Sequence, residues 1–536
     1  MLTMKDAFFR GEFFYNEQLY NIQNVRSVLE DLCNRDYDEI IKAIQSFNGN
    51  FLIGIKANRH WMIFSDKIAS FSLYWLYRDD ELLFSDDVNF IIEQNHKFDT
   101  IGLLEAGTSR YTYGNRTIYE NVKVLGPGEY LDIDCQNIQV LHSTYHVHKH
   151  FDYWNFATDG EYVVTLNQTV KRVFGRLIQR LRGRQAVLFL SGGYDSRLIL
   201  QKLHEFEYKD VICISLVSRN DLDVQVAKKI ANYFHYPLFT VDYTQDFWRK
   251  KSEEDFFWKH CKQISNGVVF PHYLQGMVIE DLIKKGIVKQ DAVIMTGNSG
   301  DVVEGNDVFD VENFERKFSW EEIQQKICDT YCQNIINDNL VKKIILDELS
   351  IDMNKFFEKK EAEYSCEDAQ DYYEYFNWYN RQCRYVTSDV RNYDDLSGNE
   401  WALPLWDDEF VAFWLKVPLK LRYKRKLYYL YVEKDNLPTA NIETTWLKMR
   451  RVFLKHFRFF WPIAYAVRIF AGFNGNDMMD AVAGALSEVE KIQFVCKTWN
   501  NKTNAYSAIM WKLFKKEYGI DIFSTLLNIR REKSGS

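Results

Sequence analysis

Proline is scarce in this sequence, with 7 in 536 residues. That excludes long Pro-rich spacers, so any domains are expected to pack directly on one another. The 9 cysteines form no CxxC pair, and the closest two are Cys328 and Cys332. This excludes a disulfide framework or a zinc ribbon and predicts reduced thiols in the cytoplasm. No run of 18 uncharged apolar residues exists, so no ordinary membrane span is expected. The first residues, Met1–Phe14, lack the uninterrupted apolar stretch of a signal peptide. Positive charge is not in excess: Lys+Arg 67 against Asp+Glu 75 gives −8, no global field for nucleic acid. What is abundant is aromatic, 16% of the chain within 46% hydrophobic residues, enough for a large core. The length predicts two or three domains.

Residues 1–145 read as mostly β. Phe51–Lys56, Trp61–Ser65, Phe71–Tyr77, Leu82–Phe84 and Tyr130–Ile133 are short aromatic and β-branched runs divided by turns, and Arg26–Gln45 has helical period. From about residue 160 strands and helices alternate. Helical period over Val163–Leu181 precedes the apolar strand Ala186–Leu190. Helix Ser196–Phe206, strand Val211–Val217, helix Val224–Tyr233 and strands Leu238–Asp242 and Ala292–Thr296 follow. Wholly apolar strands alternating with helices predict a parallel sheet covered on both faces. Beyond residue 320 the pattern is mainly helical.

The strongest local signal is Ser191-Gly192-Gly193-Tyr194-Asp195-Ser196-Arg197, between a predicted strand and a predicted helix. Two glycines permit close backbone approach to a polyphosphate, Ser191 and Ser196 supply hydroxyls, and the helix N-terminus favours an anion. Asp195 would repel phosphate directly, which suggests a Mg²⁺ bridge. The P-loop order is absent, as is its lysine. A second small-residue loop, Thr296-Gly297-Asn298-Ser299-Gly300-Asp301, follows another predicted strand, the edge where parallel sheets bind ligands. Asp301 would be the second carboxylate for Mg²⁺.

With these loops the sequence resembles the glutamine-dependent asparagine synthetase family, whose synthetase half carries SGGxDS and a second loop of the form SGEGxDE. Glu400-Trp401-Ala402-Leu403-Pro404-Leu405-Trp406-Asp407 is similar to its E-x-R-x-P-[FL]-L-D segment, and Val417-Pro418, Lys426-Leu427-Tyr428 and Leu437-Pro438 follow the order of its later signals. Phe47–Phe51, Ser65–Trp75 and Leu125–Gly128 resemble its N-terminal sandwich. The resemblance covers about residues 40–440. It implies an α/β protein with an N-terminal glutaminase-like (Ntn-type) αββα sandwich over 1–150. A parallel α/β ATP-pyrophosphatase domain (adenine nucleotide α-hydrolase-like) over 151–440 would follow, then a helical extension over 441–536. The family's glutaminase uses a cysteine as first residue of the mature chain. Here the chain starts Met1-Leu2-Thr3-Met4 and the first cysteine is Cys33. The N-terminal domain is therefore expected to be a scaffold, as in the related β-lactam synthetases and lasso-peptide cyclases. Ala402 in place of arginine, and Asn298 and Val302 in place of glutamates, make aspartate an unexpected substrate.

The resemblance implies ATP and Mg²⁺, with attack of a substrate carboxylate on the α-phosphorus, loss of pyrophosphate, and capture of the acyl-adenylate by an amine. Ser191, Gly192, Gly193, Asp195, Ser196 and Gly297 would hold the nucleotide, and Asp195 and Asp301 the metal. Lys426 would stabilise the α-phosphate, with Lys424 as rival in the same basic run, and Glu400 would take the amine's proton. Asp407 reads instead as a helix N-cap. The amine would be ammonia, a small amine or one on the substrate itself. The acid would be a small molecule or a glycan, such as a uronic acid in surface-polysaccharide synthesis. An intramolecular cyclase is the alternative enzyme, and a non-catalytic scaffold the alternative of another class. A tRNA-modifying enzyme on the same loop would need a basic face, which the net charge disfavours.

Two further features invite function. His146, His148 and His150 alternate, so on a strand all face one way, as metal ligands would. No added cysteine or carboxylate stands at ligand spacing, which favours a plain interdomain connection. Lys448–Phe470 interleaves basic and aromatic residues, as a peripheral helix at an anionic inner-membrane face does. Pro462 interrupts it, which favours a helix packed on the protein.

Overall fold

In the N-terminal part, alternate residues along each strand go to opposite cores, which dictates a layered build. The computed structural model describes residues 1–432, apart from 79–80, 93–96, 138, 218–221, 271–274, 299, 307, 310–312, 333–338 and 357–360. Beyond 432 it describes 438–439, 442, 482–487, 489–491, 493, 505–525 and 528. Strands β1 (Leu2–Thr3), β2 (Ala7–Tyr15), β3 (Gln18–Asn21), β4 (Asn48–Ala57), β5 (His60–Ser65), β9 (Glu129–Asp134) and β10 (Gln139–Thr144) form an antiparallel sheet of order β1-β2-β4-β5-β9-β10, with β3 on β2. Strands β6 (Tyr74–Arg78), β7 (Glu81–Ser85) and β8 (Lys123–Val124) make a second, three-stranded sheet.

Phe51, Ile53, Met62 and Phe64 pack with Leu29 and Leu32 of helix α1 (Arg26–Cys33) and Ile40 and Ile44 of α2 (Tyr37–Ser46). Their neighbours Leu52 and Ile63 point the other way, onto Leu73, Trp75 and Leu125 by the second sheet. Tyr74 and Leu76 then face Val88, Ile91 and Leu104 of helices α3 (Val88–Ile92) and α4 (Thr100–Ser109). The result is four layers, helix–sheet–sheet–helix. The single helical period over Arg26–Gln45 is two helices, broken where α1 ends at Asn34 and Asp36 starts α2 in extended backbone.

The second sheet system is parallel throughout. Strands β11 (Ala186–Phe189), β12 (Val211–Val217), β13 (Leu238–Asp242), β14 (Val293–Met295) and β15 (Trp401–Ala402) lie in the order β13-β12-β11-β14-β15. Helix α5 (Asp159–Leu181) leads into β11 and opens on a capping box between Thr158 and Glu161. α6 (Tyr194–Glu205) and α7 (Leu222–Tyr233) make the next crossovers. Strand β15 has two residues and was not distinguishable by period. After β13 the chain returns to the other side of β11, so the order reverses between β11 and β14. A parallel sheet opens a crevice at its carboxyl edge at such a point.

The sandwich meets the parallel sheet system through charge as well as apolar packing. Lys67 of the sandwich reaches Asp408 at 2.6 Å, and Asn48 donates at 3.1 Å to Asp407, which Arg176 of α5 holds with bonds of 2.9 and 2.6 Å. Asp407 also accepts the Glu409 N–H, so it is the N-cap of helix 408–415, as expected. The 448–470 segment lies outside the described residues. Among those described, no helix is long and apolar enough to cross a membrane.

Candidate active site

The crevice predicted by the strand order is lined by the two small-residue loops. The chain leaves buried β11 through Leu190, whose N–H donates to Ile214 and whose carbonyl accepts the Ser215 hydroxyl. Gly193 is then the N-cap of α6 with extended backbone and no side-chain cap, so the first-turn N–H groups of α6 have no capping side chain. Ser191 and Ser196 close the loop on itself: their hydroxyls are 3.1 Å apart, the Ser191 N–H donates to the Ser196 hydroxyl, and the Gly193 N–H donates to that of Ser191. Arg197, wholly buried, fixes the loop from beneath, donating to the carbonyls of Gly192 (2.7 Å) and Thr439 (2.9 Å). It thereby ties the loop to the residue just after Leu437-Pro438.

The second loop presses on the first. A Cβ on Gly297 would lie 2.9 Å from the Ser196 nitrogen, and one on Gly300 would lie 2.5 Å from Leu405 and 3.5 Å from the Asp195 carboxylate. Glycine is required here by contact rather than by dihedral angle. Asp301 takes a bond from Asn306 at 3.1 Å. One helical turn on, Glu304 is fully buried. Ser299 lies outside the described residues.

A cation meets this loop pair, and it is Arg425. Its guanidinium donates to Asp195 at 2.6 Å, pairs with Glu304, and lies over the Tyr428 ring at 4.4 Å. The backbone explains why. Lys424 and Arg425 both adopt left-handed φ, 55° and 58°, so the basic run turns sharply and sends neighbouring side chains apart. Lys426 emerges on the other side, half exposed, 3.4 Å from Asp159 at the start of α5. It is not brought to the loop, a correction of the expected geometry. Lys424 lies over Tyr423.

Glu400 is also set apart. It immediately precedes β15, so it stands at the amino edge of the sheet, opposite the loops, where Arg184 donates to it at 2.8 Å. Burial pushes the Glu400 carboxyl up, but the Arg184 bond and the charges of Arg184, Arg180 and Arg182 outweigh it and hold the group below its usual range.

The loop carboxylates shift the opposite way. Burial raises Asp195, with Arg425 opposing and Asp301 adding to the rise. Burial also pushes Glu304 well up, helped by the charge of Asp195 and opposed by Arg425. Asp195 and Asp301 thus stand beside N–H and hydroxyl donors, with Glu304 pushed toward its protonated form. Asp195 and Asp301 supply hard oxygen ligands that fit Mg²⁺, which usually takes one or two carboxylates and completes its shell from phosphate and water. Among the described residues no group of three His, Cys, Asp or Glu is placed as an all-protein metal site.

The histidines of 146–150 are structural. His148 stacks on Trp378 at 4.5 Å, and His150 is buried between Asp371 and Arg422. Arg422 makes a two-pronged pair with Glu374 at 2.6 and 2.9 Å, anchoring the segment that carries Arg425. Reading the sequence gave no role to Arg197, Glu304, Arg422 or Arg425, although Arg197 closes the SGGYDSR motif and Arg425 stands within the basic run.

The asparagine synthase family model matches residues 178–434, just under half of the chain. No match was found among curated proteins. Among solved structures, glutamine phosphoribosylpyrophosphate amidotransferase from B. subtilis, complexed with ADP and GMP, has 9% identity, a TM-score of 0.19, and alignment over 54% of this chain and 61% of that one. A structure of the allosteric regulatory enzyme of purine biosynthesis has 10% identity and a TM-score of 0.19 over 55% and 56%. This chain thus spans about three fifths of the length of those chains or less, and likenesses of that size say nothing about what it binds. The family match takes in both loops, Arg197, Arg422 and Arg425: residues 178–434 are similar to the asparagine synthase family.

Proposed function

We propose that the protein is an ATP-dependent amide ligase that works through an acyl-adenylate. The observation that carries this is the pair of glycine-hinged loops at the strand-order reversal, with Arg425 bridging Asp195 and Glu304. The substrate carboxylate attacks the α-phosphorus of ATP, a P–O bond forms, and the bond to pyrophosphate breaks. The amine nitrogen then attacks the acyl carbon, AMP leaves, and the amine's proton passes to base. Ser191, Gly192, Gly193, Ser196 and Gly297 cradle the leaving pyrophosphate. Asp195 and Asp301 would hold Mg²⁺, which neutralises charge on the phosphates when bound. Arg425 takes the role first assigned to Lys426: a fixed guanidinium at the loop stabilises charge building on the α-phosphate.

The acid is proposed to be other than aspartate, on the replacements at Asn298, Val302 and Ala402. A glycan uronate is the narrower proposal. Product mass separates ligation from cyclisation, since only ligation adds the mass of an amine. Pyrophosphate release, screened over acids paired with amines, tests the reading. Release is expected in the native protein and is lost with Asp195→Ala. If no pair supports Asp195-dependent release and Mg²⁺–ATP does not bind, the reading fails.

A further inference from the structure

A helix places residues i, i+3 and i+7 on one face, and on helix Cys383–Ser397 those positions hold Arg384, Thr387 and Arg391. This face lines a cavity of about 30 Å³, away from the loops. The sandwich supplies Ser72 and the turn Leu125–Pro127. The chain just after helix Asp255–Ser265 supplies Asn266, and the π-helical stretch Asn377–Gln382 supplies Tyr379. Three parts of the molecule thus meet around two arginines, and no described Asp or Glu lines the cavity.

Neither arginine has a charged partner among the described residues. Arg384, 8% exposed, donates to the Thr112 hydroxyl at 2.8 Å and to the Gly114 carbonyl. Its Nε makes no bond to a described residue and keeps accessible surface. Arg391 donates to the Thr387 carbonyl (3.3 Å), the Ser72 hydroxyl (2.6 Å) and the Asn266 amide oxygen (3.0 Å). Every one of these acceptors is neutral. Arg384 feels the charges of Glu105 and Glu129, but both are engaged elsewhere. Glu105 takes Arg116 and the Tyr113 N–H, and Glu129 takes Asn115, His142, Tyr379 and the Gly126 N–H. Burial outweighs their pull and holds the Arg384 guanidinium below its usual range. Buried cations are ordinarily paired, as Arg422 is with Glu374 and Arg425 with Asp195 and Glu304. Two cations at one cavity without a counter-charge call for one, and the cavity holds about twice the room a single water needs.

We infer that this cavity binds a monovalent inorganic anion of chloride size, held by Arg384 and Arg391 between the sandwich and helix Cys383–Ser397. Its volume excludes a nucleotide or an organic ester. The anion supplies the counter-charge that no side chain does, and it joins the two parts of the molecule that line the cavity. The site does not depend on the ligase reading and shares no residue with the loops.

Thermal unfolding of the full chain tests it, with sodium chloride, phosphate or gluconate at one ionic strength. Gluconate is too large for the cavity and sets the baseline. Chloride is expected to raise the melting temperature saturably, by about 1–2 °C, as a ligand of the folded state alone does. Arg391→Gln should abolish that rise, and Ser191→Ala, in the nucleotide loop, should keep it. Crystals grown in bromide should show the anomalous signal of the ion between Arg384 and Arg391. A rise that Arg391→Gln shares is a general salt effect and overturns the site, as does a cavity without bromide. A rise given by phosphate and not by chloride overturns the assignment to a chloride-sized ion. If Arg391→Gln does not fold, the bromide position decides alone.

Discussion

Single side chains decide most of the chemistry. Between Arg425 and Lys426 only a peptide bond intervenes, yet one meets Asp195 and the other Asp159. Arg425→Met is expected to cut pyrophosphate release by about 10²–10³, the usual loss when a preorganised electrostatic donor is removed. Lys426→Met should stay within about twofold, because an exposed pair contributes little. Initial-rate assays on the two variants check this; equal losses would contradict the assignment. A different residue governs acid stability. His260 is 1% exposed, neither ring nitrogen has a partner, and burial lowers it to about 4. Its folded value is depressed, so its stabilising effect is whole above the unfolded value near 6.5 and is lost as pH falls toward 4. The loss is about 3 kcal/mol. His260→Leu should remove that part of the acid sensitivity, which denaturant unfolding at pH 7 and pH 4.5 would measure.

At the level of elements, legibility followed local pattern. β12 and β13 begin and end where apolar runs predicted, β12 because a buried strand has little reason to carry polar residues, and β13 although it is a partly covered edge strand. The SGGYDSR loop was legible because its chemistry is contiguous. β15, at two residues, is too short for a period. Arg425 was hidden in a run of three cations, since only two left-handed residues determine which of them turns inward. The contact between loop and helix also makes a prediction. Gly297→Ala puts a Cβ against the first turn of α6. The variant should fold with normal circular dichroism but bind Mg²⁺–ATP at least about tenfold more weakly, as calorimetry would show. A misplacement of about 1 Å in a positioned site can cost 10²-fold in rate.

Across the described part of the molecule, the largest apolar cluster takes in residues on both sides of position 150. One apolar cluster runs from Ile68 of the sandwich through the parallel sheet to Ile522 near the end of the described chain. The charged contacts of Lys67 with Asp408 and of Glu12 with Arg180 lie across the same junction. A shared core of this kind should melt as a unit. Calorimetry is expected to show one transition, and two well-separated ones would mean the junction is weaker than its packing implies. The scarcity of proline agrees with this direct packing.

The strand order also sets a timetable for synthesis. The sandwich strands all lie within the first 144 residues, so that sheet pair can close early. β14 gains β11 as soon as it is made, but its other neighbour, β15, begins only at Trp401. About a hundred residues separate the two, roughly 5–20 s at ribosomal speed. For that interval the strand beneath the second loop presents a bare apolar edge, the kind that other chains can pair with. The nascent chain is thus most exposed to misassembly at the strand on which its candidate nucleotide site is built.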